Sequence, residues 1–246
     1  MKIAVQLYSL RHIIEAEGLE AALKLVSEAG YDGVEFAGDY GCTPEQTREL
    51  LLEKYHLEAV GAHISSDAII NAKDEVLHFV NTLGIDIVSE PCGDPKAFES
   101  GEMSAYVEKL SDANLIMLEN DTVFCYHNHW FEATPEKQYL TPLCNIVCGL
   151  KLEVDVFWLK YSGIDPLKFI KDHRDVIELL HLKELDSSGD ANAPSPVLGD
   201  GIVGIGEIVK FASEHNFPCV ILEAENIQGD ISVYLKKCLD YIKANM

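Results

Sequence analysis

Nearly every short apolar run in this chain ends in an ionisable side chain, always at the carboxyl end. The runs span 31–35, 57–63, 85–90, 123–129, 150–155, 177–181 and 219–223, and they close on Glu35, His63, Glu90, a His127-Asn128-His129 stretch, Asp155, His181 and Glu223. Near-continuous apolar runs are the signature of parallel strands covered on both faces. An ionisable group is costly to bury alone. Its recurrence at one end of so many strands predicts that those ends converge on a common polar site. A (β/α)₈ barrel has that geometry, with its active site at the carboxyl ends of its strands.

Amphipathic helical patterns separate the runs. Strands are predicted at about 2–8, 32–36, 57–62, 85–89, 123–127, 150–156, 177–182 and 218–223. Helices are predicted at about 11–29, 43–55, 69–83, 102–113, 205–215 and 230–243, with a weak one after Pro135 and another after Asp165-Pro166. Thr43-Pro44-Glu45-Gln46 has the form of a capping box with proline in the first turn. The segment 114–122 reads as a short connection, and 186–204 as a long loop. The expected fold class is α/β, a single (β/α)₈ TIM barrel over 1–246, a length close to the ~250 residues typical of that fold.

Charge narrows the function classes. The chain carries 19 Lys+Arg against 41 Asp+Glu, a formal net charge of −22. Nucleic acid and anionic membranes call for a basic face, so both are disfavoured as partners. The seven cysteines form no CxxC pair and are odd in number, which predicts reduced thiols in a cytoplasmic protein. The opening Met1-Lys-Ile-Ala-Val-Gln6 starts on a strand pattern rather than a signal peptide, and no apolar stretch is long enough for a bilayer.

Asp155, His181 and Glu223 close three successive strands, which are neighbours in a barrel. Two carboxylates and an imidazole suit one divalent metal ion, Mn²⁺, Mg²⁺, Co²⁺ or Zn²⁺. Taken singly, the same residues read as an N-cap, a core histidine and an ion-pair partner. Alternation puts His127 and His129 on one face and Asn128 on the other. The fourth ligand is open among His127, His129 and Glu132. His127, His129, Glu132 and Lys183 are the candidates for proton transfer, Lys183 sharing the inward parity of His181. Glu35, His63, Glu90 and Asn128 are candidate substrate-wall residues, and Trp158 a candidate stacking face for a sugar ring. Gly199-Asp-Gly201-Ile-Val-Gly204-Ile-Gly206 lacks the preceding strand of a dinucleotide fingerprint and reads as a flexible βα loop, a potential lid.

Tyr126-His-Asn-His129-x-x-Glu132, Asp155-x-x-Trp158, Gly163-x-Asp165-Pro166, His181-Leu-Lys183-Glu184 and Gly204-x-Gly206, in this order, resemble the xylose isomerase-like TIM barrels. Within them the pattern is most similar to the sugar phosphate isomerase/epimerase group that includes inosose dehydratase. The resemblance implies a divalent metal at the barrel mouth, with Asp155, His181 and Glu223 at the matching strand ends. Relatives with a simpler epimerase pattern carry a metal-binding Glu on the fifth strand, where this chain has Tyr126 and His-Asn-His. Such epimerases tend to have His where Trp158 stands, and Asp where Glu184 stands. The expected activity is isomerisation or epimerisation of a sugar or polyol through an enediolate. Dehydration of a keto-polyol or keto-glycoside is the alternative, since it shares the enolate. A non-catalytic sugar-binding barrel and a metal-dependent hydrolase rank below both. Homo-oligomerisation stays open, because no stripe in the sequence marks an interface.

Overall fold

A computed structural model describes residues 1–38, 40–100 and 103–246. Eight parallel strands close into a barrel in sequence order. They are β1 (Lys2–Gln6), β2 (Gly33–Phe36), β3 (Glu58–His63), β4 (Ile87–Glu90), β5 (Val123–His127), β6 (Lys151–Asp155), β7 (Ile177–Leu182) and β8 (Cys219–Leu222). Helices pack around them: α1 (Arg11–Glu17), α2 (Leu19–Ala29), α3 (Pro44–Arg48), α4 (Ser66–Asn71), α5 (Lys73–Leu83) and α6 (Pro95–Ser100) in the first half. The second half adds α7 (Ser104–Leu118), α8 (Leu140–Ile146), α9 (Val156–Tyr161), α10 (Pro166–Asp172), α11 (Ile205–Glu214) and α12 (Ile231–Ala244). No described helix is long and apolar enough to cross a membrane.

Local chemistry explains the helix boundaries. Thr43 and Gln46 form the expected capping box at the start of α3. Asp165 caps α10 through the Lys168 N–H, with Pro166 in the first turn. Gly30 and Gly84 end α2 and α5 in left-handed geometry, at φ of 93° and 68°.

Four expectations need correction. The helix expected at 11–29 breaks at Gly18, whose φ of 89° and ψ of 167° no helix accommodates. The helix expected at 69–83 is two, α4 and α5, separated at Ala72. The segment 114–122 is not a short connection: α7 runs to Leu118, burying Asn114 and Met117. Leu115 and Leu118 are exposed on the same helix, and these outward leucines blur its apolar stripe. The helices α6 and α9 were not anticipated. The expected start of α7 at 102 lies outside the described residues.

The core has two parts. The larger lies between the strands and the surrounding helices. The smaller fills the barrel floor with Ala4, Ile87, Cys125, Leu179, Cys219 and Ile221. Cys125 and Cys219 are thus small packing residues, and none of the seven cysteines forms a disulfide. Alternation places the inward residues two positions further along each strand above this floor, and there the lining turns polar.

Candidate active site

The carboxyl ends of the strands open on a cavity of about 480 Å³, whose walls include His63, His127, His129, Trp130, Trp158 and Glu223. Strand register brings the polar groups together. His127 on β5 lies beside Glu153 on β6, and Asp155 beside His181 on β7. His127, Asp155, His181 and Glu223 each offer a ligand atom, and the four atoms lie within 4.8 Å of one another. Ligand atoms of one tetrahedral Zn-like cation sit about 3.3–3.6 Å apart, so a pair at the 4.8 Å limit must close by about 1 Å.

The hydrogen bonds leave room for a cation. One oxygen of Asp155 caps α9, accepting from the N–H groups of Phe157 at 2.8 Å and Trp158 at 3.2 Å. The other, Oδ2, is buried without a hydrogen-bond partner among the described residues. Buried polar atoms are rarely left unpaired. Burial holds His127 down at about 3, so its ring is neutral and its lone pair is available. Burial pushes Asp155 up to about 7, against the attraction of the Lys183 ammonium. An unpaired carboxylate oxygen, a neutral imidazole, a second carboxylate and a second imidazole make a mixed O/N set that fits a divalent cation.

A second polar layer lies beneath. Glu35, Glu153, His63 and His181 form a connected network inside the barrel, with Glu35, Glu153 and His181 fully buried. His181 places Nδ1 2.7 Å from Glu223 Oε2 and Nε2 2.7 Å from Glu35 Oε2. His63 Nε2 lies 2.6 Å from Glu153 Oε2, and Gln6 donates to Glu35 at 2.6 Å. Burial alone lowers the pKa of His181, but the Glu153 and Glu35 carboxylates beside it hold it well above its ordinary value. Burial and the neighbouring Glu153 push Glu35 up to about 7. Gly61 makes space for this network, since a Cβ there would stand 2.8 Å from Glu35 Oε1.

The remaining candidates divide. His129 lines the cavity, its Nδ1 without a hydrogen-bond partner among the described residues, and burial lowers it to about 4. Trp158 also lines it, beside Trp130 at 5.2 Å between ring centroids. Lys183 is buried over the faces of Phe157 and Trp158, paired with Glu223 at 3.3 Å and with Glu225. Burial alone lowers its pKa, yet Glu223, Asp155 and Glu225 raise it, so the side chain remains an ammonium.

Four residues expected at the cavity lie elsewhere. Glu132 turns behind the β5 loop, accepting from the Tyr126 hydroxyl at 2.8 Å and the His129 N–H at 2.9 Å, and is fully buried. Those bonds brace the loop. Asn128 joins β5 to β6, exchanging hydrogen bonds of 3.0 and 3.3 Å with the Asp155 backbone. Glu90 bends sideways to Ser66 at the start of α4, accepting from its N–H at 2.6 Å and from its hydroxyl. Glu35 sits below the cavity rather than on its wall. The glycine-rich loop is tied down: Glu184 accepts from the N–H groups of Leu185, Gly199 and Val203.

Sequence reasoning missed Glu153, Gln6, Tyr8, Trp130 and Glu225. A signal for Glu153 existed, because it precedes Asp155 by two residues and shares its inward face. Gln6 ends β1 as the other polar residues end their strands.

No family model and no curated protein matches the chain significantly. Solved structures do. A probable 3-DHS dehydratase involved in petrobactin synthesis from Bacillus anthracis is 17% identical, with a TM-score of 0.79 over 99% of each chain. A sugar phosphate isomerase/epimerase from Parabacteroides distasonis is 19% identical, with a TM-score of 0.74 over 98% of this chain and 97% of that one. A D-tagatose 3-epimerase-like protein is 18% identical, with a TM-score of 0.72 over 100% of this chain and 98% of that one. Xylose isomerase domain proteins share the likeness. These similarities establish the fold alone, a single closed (β/α)₈ barrel.

Proposed function

We propose that a chain with this fold is a divalent-metal-dependent sugar or polyol isomerase or epimerase, working by proton abstraction next to a carbonyl through an enediolate. One observation carries the proposal: His127, Asp155, His181 and Glu223, from four adjacent strand ends, offer ligand atoms within 4.8 Å of one another. A cation held there supplies Lewis-acid polarisation of the carbonyl.

The chain's own residues do the rest. Both Glu223 oxygens are engaged, by His181 and Lys183. His129 lines the cavity and is neutral at pH 7, so it is the group assigned to take the proton from carbon. Lys183 stays charged and acts as a hydrogen-bond donor to developing negative charge rather than as a base. Trp130 and Trp158 offer apolar faces to the C–H side of a sugar ring and limit the water around it. Dehydration of a keto-polyol shares the first step. The fold likeness to the probable 3-DHS dehydratase, end to end in both chains, favours that second reading.

The test is solvent deuterium exchange into a panel of keto-sugars and keto-polyols by Mn²⁺-loaded protein. Exchange without loss of water supports isomerase chemistry, and an unsaturated product supports the dehydratase. Ligand-induced thermal stabilisation with neither would identify a binding barrel and reject both. Activity that survives exhaustive chelation would reject the metal.

A further inference from the structure

We propose that Glu153 is a positioning residue, a buried carboxylate beneath the cavity that aims the rings of His127 and His181 at the metal site. The inference rests on the metal-dependent reading above and concerns how this chain builds its ligands.

The interior of a barrel of this kind is normally filled with branched aliphatic side chains. Glu153 stands there instead, fully buried, one layer below Asp155 on β6. A carboxylate in that position costs several kcal/mol unless it is well paired. Yet the only basic side chains within 4 Å of it among the described residues are three imidazoles, with no lysine or arginine. His63 Nε2 lies at 2.6 Å, His127 Nδ1 at 3.2 Å and His181 Nε2 at 3.3 Å. The rings pack on one another around it. His63 and His181 stack with planes 6° apart, and His127 sits edge-on to His181 at 4.7 Å between centroids. One carboxylate therefore sets the tilt of three rings, two of which belong to the candidate ligand set.

The nitrogens of His181 give this arrangement a direction. A ligating imidazole coordinates through one nitrogen and donates the N–H of the other, often to a carboxylate. Nδ1 of His181 faces Glu223, its partner in the candidate set, at 2.7 Å. Nε2 faces inward, at 2.7 Å from Glu35 and 3.3 Å from Glu153. With a cation bound, the inner carboxylates would keep the proton on Nε2, and Nδ1 would exchange its bond to Glu223 for the cation.

A second cation is the competing explanation, because His63, His127, Glu153 and His181 also lie within 4.8 Å of one another. That set shares His127 and His181 with the outer one. Filling both would require His181 to give up both ring protons, and Glu153 is already hydrogen-bonded to His63. Orientation of the shared rings accounts for the same contacts with one cation.

The experiment is a Co²⁺ titration of the metal-free protein and its Glu153→Gln and Glu153→Asp variants. It reads stoichiometry, affinity by chelator competition and the visible ligand-field spectrum, with thermal unfolding of each metal-free form as the check on folding. The parent should bind one equivalent. Glu153→Gln should still bind one equivalent, about 10–100-fold more weakly, with a changed spectrum. Glu153→Asp, which keeps the charge on a shorter arm, should recover part of both, and it carries the comparison if the Gln variant does not fold. Parent affinity and spectrum in folded variants would overturn the positioning role and leave the metal-dependent reading intact. Two equivalents in the parent and one in Glu153→Gln, with the remaining spectrum unchanged, would overturn it in favour of a second ion. A parent that binds no Co²⁺ would remove the metal reading itself.

Discussion

Asp155 does two jobs with its two oxygens, and Asp155→Asn separates them. Oδ1 caps α9, and Oδ2 is the unpartnered atom assigned to the cation. Asparagine keeps a capping oxygen but replaces the other with an NH₂ that cannot ligate. At a cation concentration of 100 Kd, binding to the folded parent adds about 2.7 kcal/mol. Unfolding entropy of about 2.1 cal/mol/K per residue over 246 residues is about 0.5 kcal/mol/K, so the parent's Tm should rise by about 5 °C. If the lost ligand weakens binding by about 100-fold, the same cation adds only about 0.4 kcal/mol, a shift under about 1 °C. Without cation, Asp155→Asn should be no less stable than the parent at pH 8. Burial raises the Asp155 carboxyl from 3.8 to about 7, so the folded state holds its proton more tightly than the unfolded state. Stability from that group is full below about 3.8 and is lost as pH rises through about 7. That slope disappears with asparagine. Asp155→Ala removes the cap as well and should cost about 1 kcal/mol in the metal-free form. Scanning calorimetry of the three proteins, with and without Mn²⁺, measures all of this. Equal stabilisation of the parent and Asp155→Asn by Mn²⁺ would refute the assignment of Oδ2.

Truncating the aromatic wall should separate substrate binding from metal binding. Trp158→Ala and Trp130→Ala should each raise KM by roughly 10-fold, from the loss of about 1 kcal/mol or more of stacking, while Mn²⁺ stoichiometry by titration stays at one. Glu132→Ala leaves the Tyr126 hydroxyl and the His129 N–H without their acceptor. It should cost about 1–3 kcal/mol in denaturant unfolding and lower turnover with His129 displaced. Gly201→Ala would place a Cβ 2.2 Å from the Leu185 carbonyl oxygen and 2.5 Å from Glu184 Oε1. It should destabilise by about 1–3 kcal/mol and raise the protease sensitivity of the loop at 186–204.

The barrel was legible because its strands are apolar throughout and their ends are not. Period-two alternation then separated His127 and His129 from Asn128, and the structure places those two rings on the cavity wall and the amide away from it. A position at a strand end does not say which way the side chain turns. Glu90 and Glu132 are short of the cavity because Ser66 in one case, and Tyr126 with the His129 N–H in the other, offer nearer hydrogen-bond donors. Glu153 escaped notice for the opposite reason. It sits inside an apolar run, where the pattern leads one to expect an aliphatic residue, and only its distances to three histidines reveal its place.

The central claim is that four side chains from β5, β6, β7 and the end of β8 share one cation. A crystal structure of the Mn²⁺-soaked protein, with anomalous difference density collected to locate the metal, tests it most directly. The account predicts a single strong peak within about 2.0–2.4 Å of His127, Asp155, His181 and Glu223. A peak bound instead by His63 and Glu153, or no peak at the barrel mouth, would contradict it.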